Sequence, residues 1–123
     1  MKKFLIGALI GMSFPVVAQA QSTPLNAFLQ LQPQGQQIAI SALEHYRIRF
    51  VRSDRTIVSS QYDREYSRLV RDTTACDMSV VDGIRDGSIS TPYDAAITKA
   101  KCLKARTDAE GLGLDVQLWG PTH

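Results

Sequence analysis

Cys76 and Cys102 are the only cysteines in the chain. A bond between them would dictate which segments lie side by side, because a disulfide needs its two Cα atoms within about 7 Å. Whether such a bond forms depends on compartment, and the first twenty residues, MKKFLIGALIGMSFPVVAQA, bear on that. Lys2 and Lys3 form a positive leader, Phe4 to Val17 is an apolar stretch broken by Pro15, and Ala18-Gln19-Ala20 supplies a small-x-small cleavage pattern. The stretch is short of the ~20 apolar residues of a membrane span. Residues 1–20 are therefore expected to be a signal peptide cut after Ala20, with no transmembrane segment left afterwards. Gln21 rather than a cysteine stands directly after the cut, so no lipid anchor is suggested. The mature chain, starting at Gln21, is expected in the periplasm. In an oxidising compartment two cysteines of a small domain pair. The bridge would close a loop of roughly 25 residues and stabilise the fold by about 3 kcal/mol. A CxxC redox signature is absent, and no His cluster accompanies the cysteines as a zinc site would require.

Cleavage changes the charge argument. The net charge of +2 comes from 14 basic and 12 acidic residues. Without Lys2 and Lys3 the mature chain is formally neutral, so overall charge gives a nucleic-acid partner no support.

Hydrophobic periodicity predicts a mainly α fold: a small domain of three or four helices, one disulfide and an extended or strand-like C-terminal tail. Residues 21–37 form a Gln- and Pro-containing arm, in which Thr23-Pro24 starts a short helix that Pro33 limits. Residues 38–123 form one disulfide-bridged helical domain that includes the tail, 112–120. A second helix is expected from Gln36 through about Phe50, with Ala39, Leu43, Tyr46 and Phe50 on one face. The end of that run conflicts with this, since Tyr46, Ile48 and Phe50 alternate with Arg47 and Arg49 and would suit a hairpin over 46–58. Tyr62, Tyr66, Leu69, Thr73, Cys76 and Val80 make a continuous stripe for a third helix, with Asp82-Gly83 and Asp86-Gly87 as breaks. Thr91-Pro92-Tyr93-Asp94 is a strong start for the fourth, ended by Gly111 and Gly113. Cys102 there lies with Ala95, Ala105 and Ala109 on a side of small residues, which allows close approach.

No catalytic constellation assembles along the chain. Nucleophilic hydrolysis needs Ser, Thr or Cys beside a base. The two histidines are His45, expected to be a partly buried structural residue, and the terminal His123. The acids are scattered, and Asp82, Asp86 and Asp94 have ordinary roles in turns and caps. No phosphate loop, HExxH or EF-hand pattern occurs. The chain is read as non-enzymatic, without cofactor or metal.

Charge layout and the tail suggest how it binds. Residues 47–71 hold seven arginines against Asp54, Asp63 and Glu65, whereas residues 72–96 hold five aspartates against Arg85. Arg64, Arg68 and Arg71 form a stripe on the third helix, which is either a solvated face in local ion pairs or a contact for an anionic partner. In LGLDVQLWG, Leu112, Leu114, Val116 and Leu118 alternate with polar residues and Trp119 follows. Such a tail either completes the small core, across the helices or against 46–58, or adds a strand to a partner's sheet with Trp119 as anchor. The expectation is an exported protein that binds another exported or envelope protein, of accessory, chaperone, inhibitor or immunity type. Arg64, Arg68, Arg71, Leu114, Val116, Leu118 and Trp119 are its candidate contacts. The alternatives are a small secreted toxin or envelope-active effector touching the membrane surface, or an accessory factor of a secretion or conjugation machine.

Overall fold

A computed structural model describes residues 23–121. The expected export signal with its cleavage site, and His123, lie outside the described residues. Helix α1 (Pro24–Leu29) starts as expected, with the Thr23 hydroxyl accepting from the Asn26 amide at 3.3 Å. Pro33 stops it and also opens α2 (Pro33–His45), earlier than the Gln36 start expected from the pattern. Proline's fixed φ and missing N–H suit a first helical turn. Gln36 Nε2 then donates to the carbonyls of Phe28, Leu29 and Leu31 at 3.3–3.4 Å, tying the end of α1 to the first turn of α2.

Helix α2 ends at His45 and does not continue through Phe50. Arg47–Val51 is strand β1, paired antiparallel with β2 (Asp115–Trp119) in the register Arg47↔Trp119, Ile48↔Leu118, Arg49↔Gln117, Phe50↔Val116, Val51↔Asp115. Alternation prevails here because each strand offers the other an apolar face, Ile48 and Phe50 against Leu118 and Val116. Beyond β1 the chain reverses over 52–56. Arg52 N donates to the Thr56 carbonyl at 2.8 Å, Arg55 sits at φ 75°, and Asp54 accepts from the Thr56 amide at 3.0 Å. The Val51↔Ile57 bridge and the Val58 N–Phe50 O bond of 2.8 Å bring the chain back beside β1.

Helix α3 (Tyr66–Asp86) begins after Tyr62, which is 87% exposed. Asp63 holds the preceding loop in turns by accepting from the Ser59 and Ser60 amides. From Leu69 the expected stripe holds, with Leu69, Cys76 and Val80 buried. Asp82-Gly83 does not break the helix. Gly83 lets Ile89 approach, since a Cβ there would lie 2.6 Å from Ile89 Cδ1. The helix stops instead at Gly87, in the left-handed region at φ 89°. Helix α4 (Pro92–Ala109) starts as expected, the Thr91 hydroxyl accepting from the Asp94 amide at 3.0 Å.

The Cys76–Cys102 disulfide joins α3 to α4 with Cα atoms 5.8 Å apart. The fold is thus mainly helical, with four helices among the described residues, three of them substantial, and a two-stranded sheet that takes in the C-terminal strand. Two apolar cores form. Ala27, Leu31, Val80, Val81, Ile84, Ile89 and Ala95 build the larger around the helices. Val58, Leu69 and Leu114, backed by Phe50 and Leu112, build the smaller beneath the sheet.

Candidate interaction surfaces

The apolar residues of the tail lie largely within the fold. Leu114 is 2% exposed in the smaller core, while Val116 and Leu118 are half-buried in register with Phe50 and Ile48. Trp119 is half-exposed and faces the other way, with the Arg49 guanidinium 4.9 Å from its ring centroid. Arg47 and Val51 share that outer face by strand alternation, as does the exposed Ile57 opposite Val51. The result is a mixed cationic and apolar patch on the sheet.

The three arginines of the expected stripe are exposed, but only Arg68 and Arg71 lie on α3; the helix starts at Tyr66 and leaves Arg64 in the turn before it. Arg64 touches Glu65 at 3.3 Å and Arg71 approaches Glu110 at 3.9 Å. Arg68 has no ion pair among the described residues and lines a cleft with Arg64, Glu65, Gly111 and Leu112. Arg52 serves structure instead, binding Asp63 at 2.9 Å and Glu65 at 3.0 Å to tie the 52–56 turn to the start of α3. The Arg52 guanidinium holds the Glu65 carboxyl below the usual carboxylate range. The Ser60 amide, followed by Arg52, does the same for Asp63.

Sequence reasoning missed an apolar concavity among the helices. An open cavity of about 480 Å³ lies between α1, α2, β1, α3 and α4. Leu25 and Phe28 of α1, Ile40 and Leu43 of α2, and Ile48 and Phe50 of β1 form its walls. Val80 and Leu103 lie deeper, and the Lys99–Asp77 ion pair of 2.8 Å borders it. Leu43, read from its spacing as a core position, is 72% exposed, and Leu25 is 65% exposed. Once β1 leaves the helical path, Phe50 no longer continues the α2 stripe and Leu43 is left at the mouth. The surplus of Leu25, Leu29, Ile40 and Leu43 over what two short helices bury was the available signal.

His45, expected to be partly buried, is exposed at the last residue of α2. Among the described residues no three His, Cys, Asp or Glu side chains converge to hold a metal ion. Among the described residues no helix is long and apolar enough to cross a membrane. Comparison with protein-family models, curated proteins and solved structures finds no match, so the functional reading rests on these surfaces.

Proposed function

We propose that this chain is a small, non-enzymatic exported protein of the periplasm that holds an apolar segment of another exported or envelope protein. The observation that carries the reading is the open apolar cavity with Leu25 and Leu43 standing exposed at its mouth. Its volume is in the range of built recognition sites. Its helical walls suit an amphipathic helix laid with its apolar face inward. Contiguous exposed apolar surface on a small domain marks an interaction site more often than scattered leucines do. The disulfide fits an oxidising compartment outside the cytoplasm. Such a protein serves its client as an accessory, chaperone, inhibitor or immunity factor.

The test uses the mature chain 21–123 with a photo-crosslinking side chain at Leu43, exposed to a native periplasmic and envelope extract. The expected result is one dominant crosslinked protein, lost in a Leu25→Glu background that keeps its circular dichroism. A peptide spanning that protein's apolar segment should compete. Crosslinking that survives Leu25→Glu, or no competition by the peptide, would refute the groove as the site.

The Arg49–Trp119 contact favours a second reading, an envelope-active protein that lies on anionic lipid through the sheet face. Flotation with anionic vesicles, lost in Trp119→Ala, would support it. Absence of flotation at low salt would remove it.

A further inference from the structure

Asp72 of α3 has no solvent exposure, and Glu110 caps the end of α4. Asp72 Oδ1 accepts from Arg106 Nε at 3.0 Å, and Glu110 Oε2 faces Arg71 Nη2 at 3.9 Å. The remaining oxygens, Asp72 Oδ2 and Glu110 Oε1, are both buried and have no hydrogen-bond donor among the described residues. The Glu110 carboxyl is held above the usual glutamate value, by burial first, then by the adjoining Asp72 carboxyl and its charge. Arg71 and Arg68 act against that rise without cancelling it.

Two ionised carboxylates are acceptors only, so neither can satisfy the other. A metal ion is a poor solution, because only two acids meet here and the guanidiniums of Arg68, Arg71 and Arg106 lie around them. Lys104, the nearby ammonium of α4, is engaged with Asp108 at 3.1 Å and the Leu114 carbonyl at 3.1 Å. Arg64 and Glu65 contact each other on the far side of the adjoining cleft. A proton is what remains. A proton on Glu110 turns an acceptor into a donor toward the neighbouring Asp72 carboxylate.

We infer that Glu110 holds a proton and donates it in a hydrogen bond to the Asp72 carboxylate, an acid-closed clasp fastening the end of α4, and the linker into β2, onto α3. The linker is short: Leu112 N donates to the Thr107 carbonyl at 3.1 Å, and Leu112 and Leu114 pack with Val58 and Leu69. When the proton leaves, two like charges face each other. Glu110, already 23% exposed, then turns to solvent and the linker loosens.

The sign follows from linkage. A carboxyl whose folded value is raised gives its full stabilisation below its unfolded value, about 4.3 for Glu, and loses it as pH rises through the folded value. Asp54, Asp63, Glu65 and Asp86 are shifted downward and lose their contribution only on acidification below the usual range. The two windows therefore do not overlap.

The experiment follows the Glu110 side-chain carboxyl carbon of the full mature chain by NMR across pH. It pairs this with thermal unfolding of the wild-type chain and Glu110→Gln between pH 5 and 8. Glutamine keeps a donor toward Asp72 and cannot titrate. The inference expects a Glu110 midpoint above the usual glutamate value, a wild-type Tm that falls from pH 5 to 8 relative to Glu110→Gln, and a more stable variant at pH 8. The histidine contribution is common to both chains and cancels in that difference. A Glu110 midpoint at or below the usual value, or the same Tm slope in both chains, would overturn it. The NMR titration needs no variant, so it decides the matter even where Glu110→Gln folds poorly.

Discussion

Arg106 Nε lies 3.0 Å from Asp72 Oδ1, linking the exposed side of α4 to a carboxylate that α3 removes from water entirely. A buried charge is tolerated only while paired. Arg106→Met leaves the buried Asp72 carboxylate without its ion-pair partner. Truncating one partner of a buried pair typically costs about 3–5 kcal/mol. Arg106 is itself 43% exposed, so we expect roughly 2 kcal/mol by urea unfolding. Arg85→Met, which removes an exposed pair with Asp82 on one helix, is expected to change stability by less than about 0.5 kcal/mol.

The disulfide makes a second demand. It closes a separation of 26 residues between the two longest helices. Replacing both cysteines by alanine should lower unfolding free energy by about 2–4 kcal/mol. The same loss should appear when the wild-type chain is unfolded with reductant, and the double variant should then show no further response to reductant.

Gly83 within α3 and Gly87 at its C-terminal cap separate space from backbone conformation. Gly83→Ala would ordinarily gain about 1 kcal/mol from helix propensity. Here the new methyl meets buried Ile89 at 2.6 Å, so the sign reverses and we expect a loss of about 1–3 kcal/mol. Gly87→Ala meets nothing within 4 Å but sits at φ 89°. It should cost about 1 kcal/mol from backbone strain alone. Thermal unfolding of both variants checks the contrast.

Local capping chemistry was legible in the sequence, and so was the bridge. Thr23-Pro24 and Thr91-Pro92 carry their signals within four residues, and both helices start there. Residues 46–51 were not legible in that way. The same residues satisfy a helical and an alternating pattern, and the choice is made by a strand more than sixty positions later. Gly83 read as a break because its reason for being small is Ile89, beyond the helix end. The apolar cavity was hidden for a related cause. Leu43 fits a core stripe only if Phe50 stays on the helix. The Asp72–Glu110 pair joins residues on two different helices, and no spacing rule along the chain brings it together.

The tail provides a test of core against surface. Leu114→Ala should cost about 2–4 kcal/mol, because the residue is 2% exposed in the smaller core. Trp119→Ala should cost no more than about 1 kcal/mol, chiefly the lost stacking of Arg49. A chain ending at Gly111 loses β2 and Leu114 together and should fail to unfold cooperatively. Docking surfaces are therefore better probed by point substitutions than by truncation.

Arg52 donates to Asp63 and Glu65 across the turn that leads into α3. Both carboxyls are held below their usual values, Glu65 chiefly by Arg52 and Asp63 by the Ser60 amide and then Arg52. A lowered folded value means that the stabilisation is complete above the unfolded value, near pH 4–5, and drains away as pH falls through the folded one. Acid unfolding of the wild-type chain should therefore steepen below about pH 4. Arg52→Met should flatten that limb and lower stability at neutral pH. Glu65→Gln should flatten it too, while keeping one hydrogen-bond acceptor for Arg52. Equal acid limbs in all three chains, followed by circular dichroism between pH 2 and 6, would show that the turn is held by Asp54 and the β1 contacts instead.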